Sequence, residues 1–154
     1  MTLIGEVSAL TRSLDDHRAE YALVGGLAVA LWGIDRATKD IDLLVEKDDI
    51  DRVAALAKRC GFTMEDFPRE FEDGMEMRRL SKIESQGTFV TLNLLLVGPA
   101  QRDVWDTRER VPFEARTIAL ASRDGLIKMK LAAGRPQDLA DVEKLKDLPA
   151  PPAG

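Results

Sequence analysis

Residues 21–45 read YALVGGLAVALWGIDRATKDIDLLV. Tyr21–Val24 is apolar and is stopped by Gly25-Gly26, which reads as a short strand entering a tight turn. Leu27–Trp32 follows as a short apolar helix ended by Gly33. Lys39–Val45 then alternates as a strand, with Asp40, Asp42 and Leu44 on one face and Ile41, Leu43 and Val45 on the other. The period of two puts both carboxylates on one face, with Cα atoms about 6–7 Å apart. Like charges at that separation repel and cost stability unless a cation lies between them. A hard divalent cation takes oxygen ligands and keeps some waters, so two carboxylates plus substrate phosphates complete its shell. Phosphoryl-type displacements use this chemistry to stabilise the attacking and leaving oxygens. On its own, a D-x-D is also the ordinary polar face of an edge strand turned to water. The Gly-Gly pair ahead of it changes the reading. Adjacent glycines allow a sharp bend and bring backbone N–H groups close to a ligand, and a following helix start favours phosphate.

Outward from this segment, residues 3–19 carry Leu3, Val7, Leu10 and Leu14 at helical spacing. Residues 49–60 predict a second long helix, with Asp48 as its cap, Ile50, Val53, Leu56 and Ala57 as its stripe and Gly61 as its stop. Glu65–Gly74 is polar and acidic and reads as a loop. Met75–Ile83 and Thr88–Val97 read as two antiparallel strands joined by turn chemistry at Ser85-Gln86-Gly87. Gly98-Pro99 breaks the chain, a short helix is expected over 101–110, and 111–120 reads as one further strand. Ser122 caps a helix over 123–133 that Gly134 ends, and Pro136 suits the first turn of a last helix reaching about Asp147. The tail from Pro149 is expected to fray. The pattern is a single α/β (α+β) domain over 1–148, a small mixed sheet flanked by helices.

Composition narrows the function classes. The chain has 154 residues, 45% hydrophobic and 32% charged, with 22 Lys and Arg against 27 Asp and Glu, a net charge of −5. A mildly acidic chain is not built as a general DNA binder, because neutralising phosphates needs clustered Lys and Arg. One cysteine, Cys60, excludes an internal disulfide and a Cys-rich zinc site, and one histidine, His17, excludes a two-His metal motif. No apolar run approaches a membrane span and no leader is apparent, so a cytoplasmic protein without membrane contact is expected.

The ordered set Gly25, Gly26, Ala28, Gly33, Arg36, Thr38, Asp40 and Asp42 resembles the nucleotidyltransferase fold of the DNA polymerase β superfamily. It is most similar to AbiEii-type toxins and related minimal nucleotidyltransferases. Lys130, Ala133, Arg135, Asp138 and Asp141 resemble the lysine–arginine–aspartate element of the same branch. The resemblance implies transfer of a nucleoside monophosphate from an NTP to an acceptor hydroxyl, dependent on Mg²⁺ or Mn²⁺, the acceptor being tRNA, a protein or a small molecule. It implies Asp40 and Asp42 as metal-holding catalytic residues, with Lys130 beside them. It implies Gly25, Gly26, Arg36, Thr38, Lys39, Arg135 and Asp138 around the nucleotide. It also implies a toxin or antitoxin partner or a homo-oligomer, since little chain is available beyond the core fold for holding a large acceptor.

The chain departs from that pattern at two places. The later strand offers Asn93 where a third carboxylate belongs. An amide oxygen can ligate a cation, but it brings no charge and cannot act as a base near neutral pH. Either the enzyme works with two carboxylates and Asn93 as third ligand, or with another acid such as Glu84 or Glu76 brought in by the hairpin, or the site is a catalytically degenerate module that keeps nucleotide or partner binding. No serine follows the turn, where Leu27 stands. Lys130 reads equally as a phosphate ligand or as an ion-pair partner of Asp138 or Asp141. Arg135, Asp138 and Asp141, spaced by three, read as an intrahelical charge ladder. Trp32 and Trp105 read as packing anchors, and His17 as surface.

Overall fold

The strand that carries Asp40 and Asp42 is an inner strand of a mixed sheet. A computed structural model describes residues 2–71, 74–84 and 87–149. Residues 85–86 of the expected turn, 72–73 of the acidic loop and 150–154 of the expected frayed tail lie outside the described residues. β2 (Asp40–Val45) runs antiparallel to β1 (Ala22–Val24) on one side and parallel to β6 (Phe89–Leu96) on the other. β5 (Glu76–Ile83) adds antiparallel to β6, and β8 (Arg116–Leu120) lies parallel to β1 with β7 (Glu109–Phe113) outside it. Two-residue strands β3 (Met64–Glu65) and β4 (Arg69–Glu70) pair along β5, giving the order β3-β5-β6-β2-β1-β8-β7. The helices are α1 (Leu3–Asp16), α2 (Gly25–Leu31), α3 (Ile50–Arg59), α4 (Arg102–Asp106), α5 (Arg123–Ala133) and α6 (Pro136–Lys146). This is the expected α/β architecture of a mixed sheet flanked by helices.

The expected alternation on β2 is present. Ile41 and Leu43 are fully buried while Asp40 and Asp42 are half-buried on the opposite face. Val7, Leu10 and Leu14 of α1, Val53 and Ala57 of α3, and Leu92 and Leu94 of β6 complete the aliphatic core. Each such leucine stabilises the fold by about 1.5–3 kcal/mol relative to exposure. Ser122 caps α5 by accepting from the Gly125 N–H at 3.0 Å, and Gly134, at φ +66°, ends it in the left-handed conformation. Pro136 opens α6 directly, so α5 and α6 form a tight helical hairpin. Trp32 donates its ring N–H to the Ala121 carbonyl at 3.0 Å, and Trp105 is buried with the Arg108 guanidinium 3.9 Å from its ring centre. Both tryptophans are packing anchors, and His17 is exposed at the end of α1.

Several boundaries differ from expectation for local reasons. α1 stops at Asp16, because Arg18 takes a left-handed φ of +56°. α2 begins at Gly25 itself, so the glycine pair forms the first turn instead of preceding it. Asp48 does not cap α3. It sits in a 3₁₀ turn over Lys47–Asp49, and Asp49 precedes the helix without a side-chain capping bond. Part of the expected acidic loop is strand: β3 and β4 pair along β5 through backbone, with Glu65 of β3 also ion-paired to Arg78 of β5, and their residues stay exposed. The helix expected over 101–110 is only α4, preceded by a 3₁₀ turn at Pro99–Gln101. The strand expected over 111–120 is the β7–β8 hairpin, turned at Glu114 with φ +55°. Among the described residues, no helix is long and apolar enough to cross a membrane.

Candidate active site

β1 ends at Val24, which lies opposite Asp42 in the antiparallel register, and the chain then bends sharply at Gly25. Gly25 has φ +75°, a conformation L side chains rarely adopt. A Cβ at Gly25 would stand 2.1 Å from Asp42 Oδ2, so only a bare backbone leaves room for that carboxylate. A Cβ at Gly26 would come within 3.2 Å of Thr38 Oγ1 and 3.5 Å of Arg36 Cζ. The fold therefore brings together Gly25, Gly26, Arg36, Thr38 and Asp42, with Asp40 on the same strand face. Lys39 is exposed beside them. Gly25→Ala adds a methyl where Asp42 sits and forces a left-handed alanine, a strain of about 1–2 kcal/mol. The expected result is a Tm lowered by about 2–8 °C, read by thermal melting.

Asp42 carries the strongest perturbation on the strand. Its carboxyl is pushed above the usual value, first by burial and then by the charge of Asp40. The hydrogen bond from Asn93 and the charges of Lys130 and Arg79 oppose this without cancelling it. Asn93 lies next to Asp42 in the parallel register and is buried. Its Nδ2 donates to Asp42 Oδ1 at 2.7 Å, and its Oδ1 accepts from Arg79 Nε at 2.8 Å. The amide oxygen, expected as a metal ligand, is thus turned to Arg79, and the amide meets Asp42 as a hydrogen-bond donor. Among the described residues, no group of three or more His, Cys, Asp or Glu is placed to hold a metal ion, so neither Glu76 nor Glu84 makes a third acid with the pair.

The second element expected near the site forms a charge cluster behind it. Lys130 is buried, with its Nζ 3.3 Å from Asp138 Oδ1 and 3.1 Å from Asp141 Oδ2. Arg36 Nε donates to both oxygens of Asp141 at 3.2 Å, and Gln137 Nε2 adds a bond of 3.0 Å. Asp138 accepts from the Arg135 backbone N–H at 3.2 Å and from Arg135 Nε at 2.6 Å, closing the start of α6. The intrahelical ladder expected for Arg135, Asp138 and Asp141 is therefore mostly a clasp between elements. Because α6 folds straight back on α5, its carboxylates meet Lys130 and Arg36 rather than solvent. Burial pushes both carboxyls up. Hydrogen bonds from Arg135 and Lys130 to Asp138, and from Lys130, Gln137 and Arg36 to Asp141, outweigh burial and leave both below the usual value. The charges of Lys130 and Arg135 also act on Asp42, which ties the cluster to the acid pair.

Arg79 is the contributor that residue patterns miss. An arginine on an alternating strand reads as a solvated charge, and only the pairing of Arg79 with Asn93 across two strands reveals it.

The profile of the family "Nucleotidyl transferase AbiEii toxin, Type IV TA system" matches residues 8–153. The chain belongs to the AbiEii nucleotidyltransferase family. Solved structures carry the same fold. An antigenic nucleotidyltransferase-like protein from Paracoccidioides brasiliensis is 22% identical over 97% of this chain and 78% of its own, with a TM-score of 0.64. The lincosamide antibiotic adenylyltransferase LnuA, solved with lincomycin, is 16% identical over 94% of this chain and 97% of its own, with a TM-score of 0.61. ANT(2")-Ia, solved with adenylyl-2"-tobramycin, is 14% identical over 94% and 87%, with a TM-score of 0.62. At these identities the likeness is one of fold. No curated protein sequence matches this AbiEii-family chain.

Proposed function

We propose that this AbiEii-family protein transfers a nucleoside monophosphate from an NTP to an acceptor hydroxyl on RNA, a protein or a small molecule. It acts in the cytoplasm as the toxin of a toxin–antitoxin pair, with an antitoxin as its partner. One observation carries the reading: the Asp42 carboxylate lies against the Gly25 bend, with Asp40 on the same strand face. The donor set fits Mg²⁺ or Mn²⁺. Two half-buried carboxylates supply hard oxygens, and Asp42 is held above its usual protonation range by burial and by Asp40, a cost that a cation relieves. Asp40 and Asp42 would hold the ion, which when bound stabilises charge on the phosphoryl oxygens. The bare backbone at Gly25 and Gly26 lets Asp42, Thr38 and Arg36 close on the bend that the polyphosphate would approach. Arg36 and Thr38 flank that approach, and exposed Lys39 draws the anion in. Lys130, Arg135 and Asp138 form the charged wall behind it.

A second reading is favoured by Asn93. With a donor amide beside Asp42 and no third acid among the described residues, the site would bind nucleotide without transferring it. The test is incubation of the full chain with α-labelled NTPs, Mg²⁺ or Mn²⁺, and cellular RNA or protein. Label on an acceptor is the expected result. Nucleotide binding with no label transferred under either metal decides for the second reading. Asn93→Asp sharpens it, because activity gained only in that variant marks the native site as degenerate.

A further inference from the structure

Arg79 of β5, Asn93 of β6 and Asp42 of β2 stand side by side in register across three strands. The hydrogen bonds run one way along this row. Arg79 Nε donates to Asn93 Oδ1 at 2.8 Å, and Asn93 Nδ2 donates to Asp42 Oδ1 at 2.7 Å. A guanidinium only donates and an ionised carboxylate only accepts, so the amide between them has a single orientation. Asn93 is 6% exposed, which keeps water from replacing either bond. The row divides the labour of the Asp42 oxygens. Oδ1 is held by Asn93, while Oδ2 is the atom lying against the Gly25 bend.

We propose that Arg79 and Asn93 are positioning residues for Asp42. Together they fix the rotation of its carboxylate so that Oδ2 faces the glycine bend, where the cation and the nucleotide phosphates bind. The inference rests on the transferase reading above. It gives Asn93 a role that an acid at the same place would not fill. A second carboxylate would repel Asp42 and pair with Arg79, whereas a neutral amide satisfies both neighbours and lets Asp42 keep its charge. Outer-shell partners of metal-holding carboxylates commonly change metal affinity by 10–100-fold when removed.

The experiment is Mn²⁺ binding to the full chain, followed by the paramagnetic resonance signal of free Mn²⁺, in wild type, Asn93→Ala, Arg79→Met and Arg79→Lys. Asn93→Ala and Arg79→Met are expected to weaken Mn²⁺ binding by about 10-fold or more, with Arg79→Lys recovering part of the loss. Transfer by the weakened variants is expected to return as Mn²⁺ is raised, which a general folding defect would not allow. Thermal melting confirms that each variant is folded. If Asn93→Ala fails to fold, the half-buried Arg79 carries the test alone. Mn²⁺ affinity within twofold of wild type in the folded variants overturns the positioning role and leaves the transferase reading standing. A wild-type chain that neither binds Mn²⁺ nor transfers label removes the transferase reading and this inference with it.

Discussion

Asp42→Asn is expected to lower nucleotidyl transfer by about 10³-fold or more and, at the same time, to raise the melting temperature. The first effect follows from the proposed function, in which Asp42 is one of two carboxylates facing the nucleotide. A loss of that size corresponds to about 4 kcal/mol of transition-state stabilisation, the scale found when a single preorganised electrostatic group is deleted. The second effect has the opposite sign because Asp42 is held in a place that disfavours its charge. Burial and Asp40 raise its carboxyl above the usual value of 3.8. The native state therefore binds this proton more tightly than the unfolded chain does. Stability is lost as pH rises through the window above 3.8 and stays lost at neutral pH. Asparagine has nearly the same shape, keeps an oxygen that can accept from Asn93, and carries no charge. The gain, about 1 kcal/mol or 2–4 °C, is expected at pH 7 without divalent metal and is expected to vanish below the usual carboxylate range. Thermal melts from pH 3 to pH 8 in chelator, run beside the label-transfer assay, check both parts. Transfer retained within tenfold removes Asp42 from the metal-holding role.

Lys130→Met is expected to be the most destabilising single substitution considered. Its Nζ lies between Asp138 and Asp141, which are 1% and 0% exposed. Methionine keeps the stem volume but leaves two buried carboxylates without the cation they share. Removing one partner of a buried ionic group costs about 3–5 kcal/mol, which for a chain of this size lowers Tm by about 6–20 °C. The sign with pH is distinctive. Asp138 and Asp141 have carboxyls held below the usual value, so their stabilisation is complete above 3.8 and is lost as pH falls through the lowered range. The difference between wild type and Lys130→Met should therefore be large at pH 7 and shrink in acid. A difference independent of pH would assign the loss to packing of the stem and not to charge.

Much of this architecture is legible because its key residues obey short-range rules. Gly25-Gly26 after an apolar tetrad, Asp40 and Asp42 on a period of two, Ser122 as cap, Gly134 as stop and Pro136 as start each act within a few residues of themselves. The AbiEii resemblance rests in part on the same glycine pair and aspartates, and the family profile spans nearly the whole chain. The features that escape the sequence depend on partners far along the chain. The bond from Asn93 to Asp42 spans 51 positions, and that from Arg36 to Asp141 spans 105. Nothing local distinguishes Asp141 from a solvent-facing acid on an amphipathic helix, and Arg79 looks like any charge on a polar strand face. The β7–β8 turn also gives no signal, because Glu114 occupies a left-handed position without glycine or asparagine chemistry. β3 and β4 are held by backbone pairing and, at Glu65, by ion pairs to Arg78 and Lys58, to which hydrophobic periodicity is blind.

The clasp of Arg36 by Asp141 sets an order of events during synthesis. A nascent polypeptide that has emerged only through β6 already possesses Asp40, Asp42 and Asn93, yet α6 has not been made and Arg36 has nothing of that helix to hold it. The acid pair thus exists on the ribosome before its surroundings are finished, and the centre matures only as translation reaches the helix bearing Asp138 and Asp141. Fragments that stop short of that helix carry Asp40 and Asp42 without the carboxylate that holds Arg36.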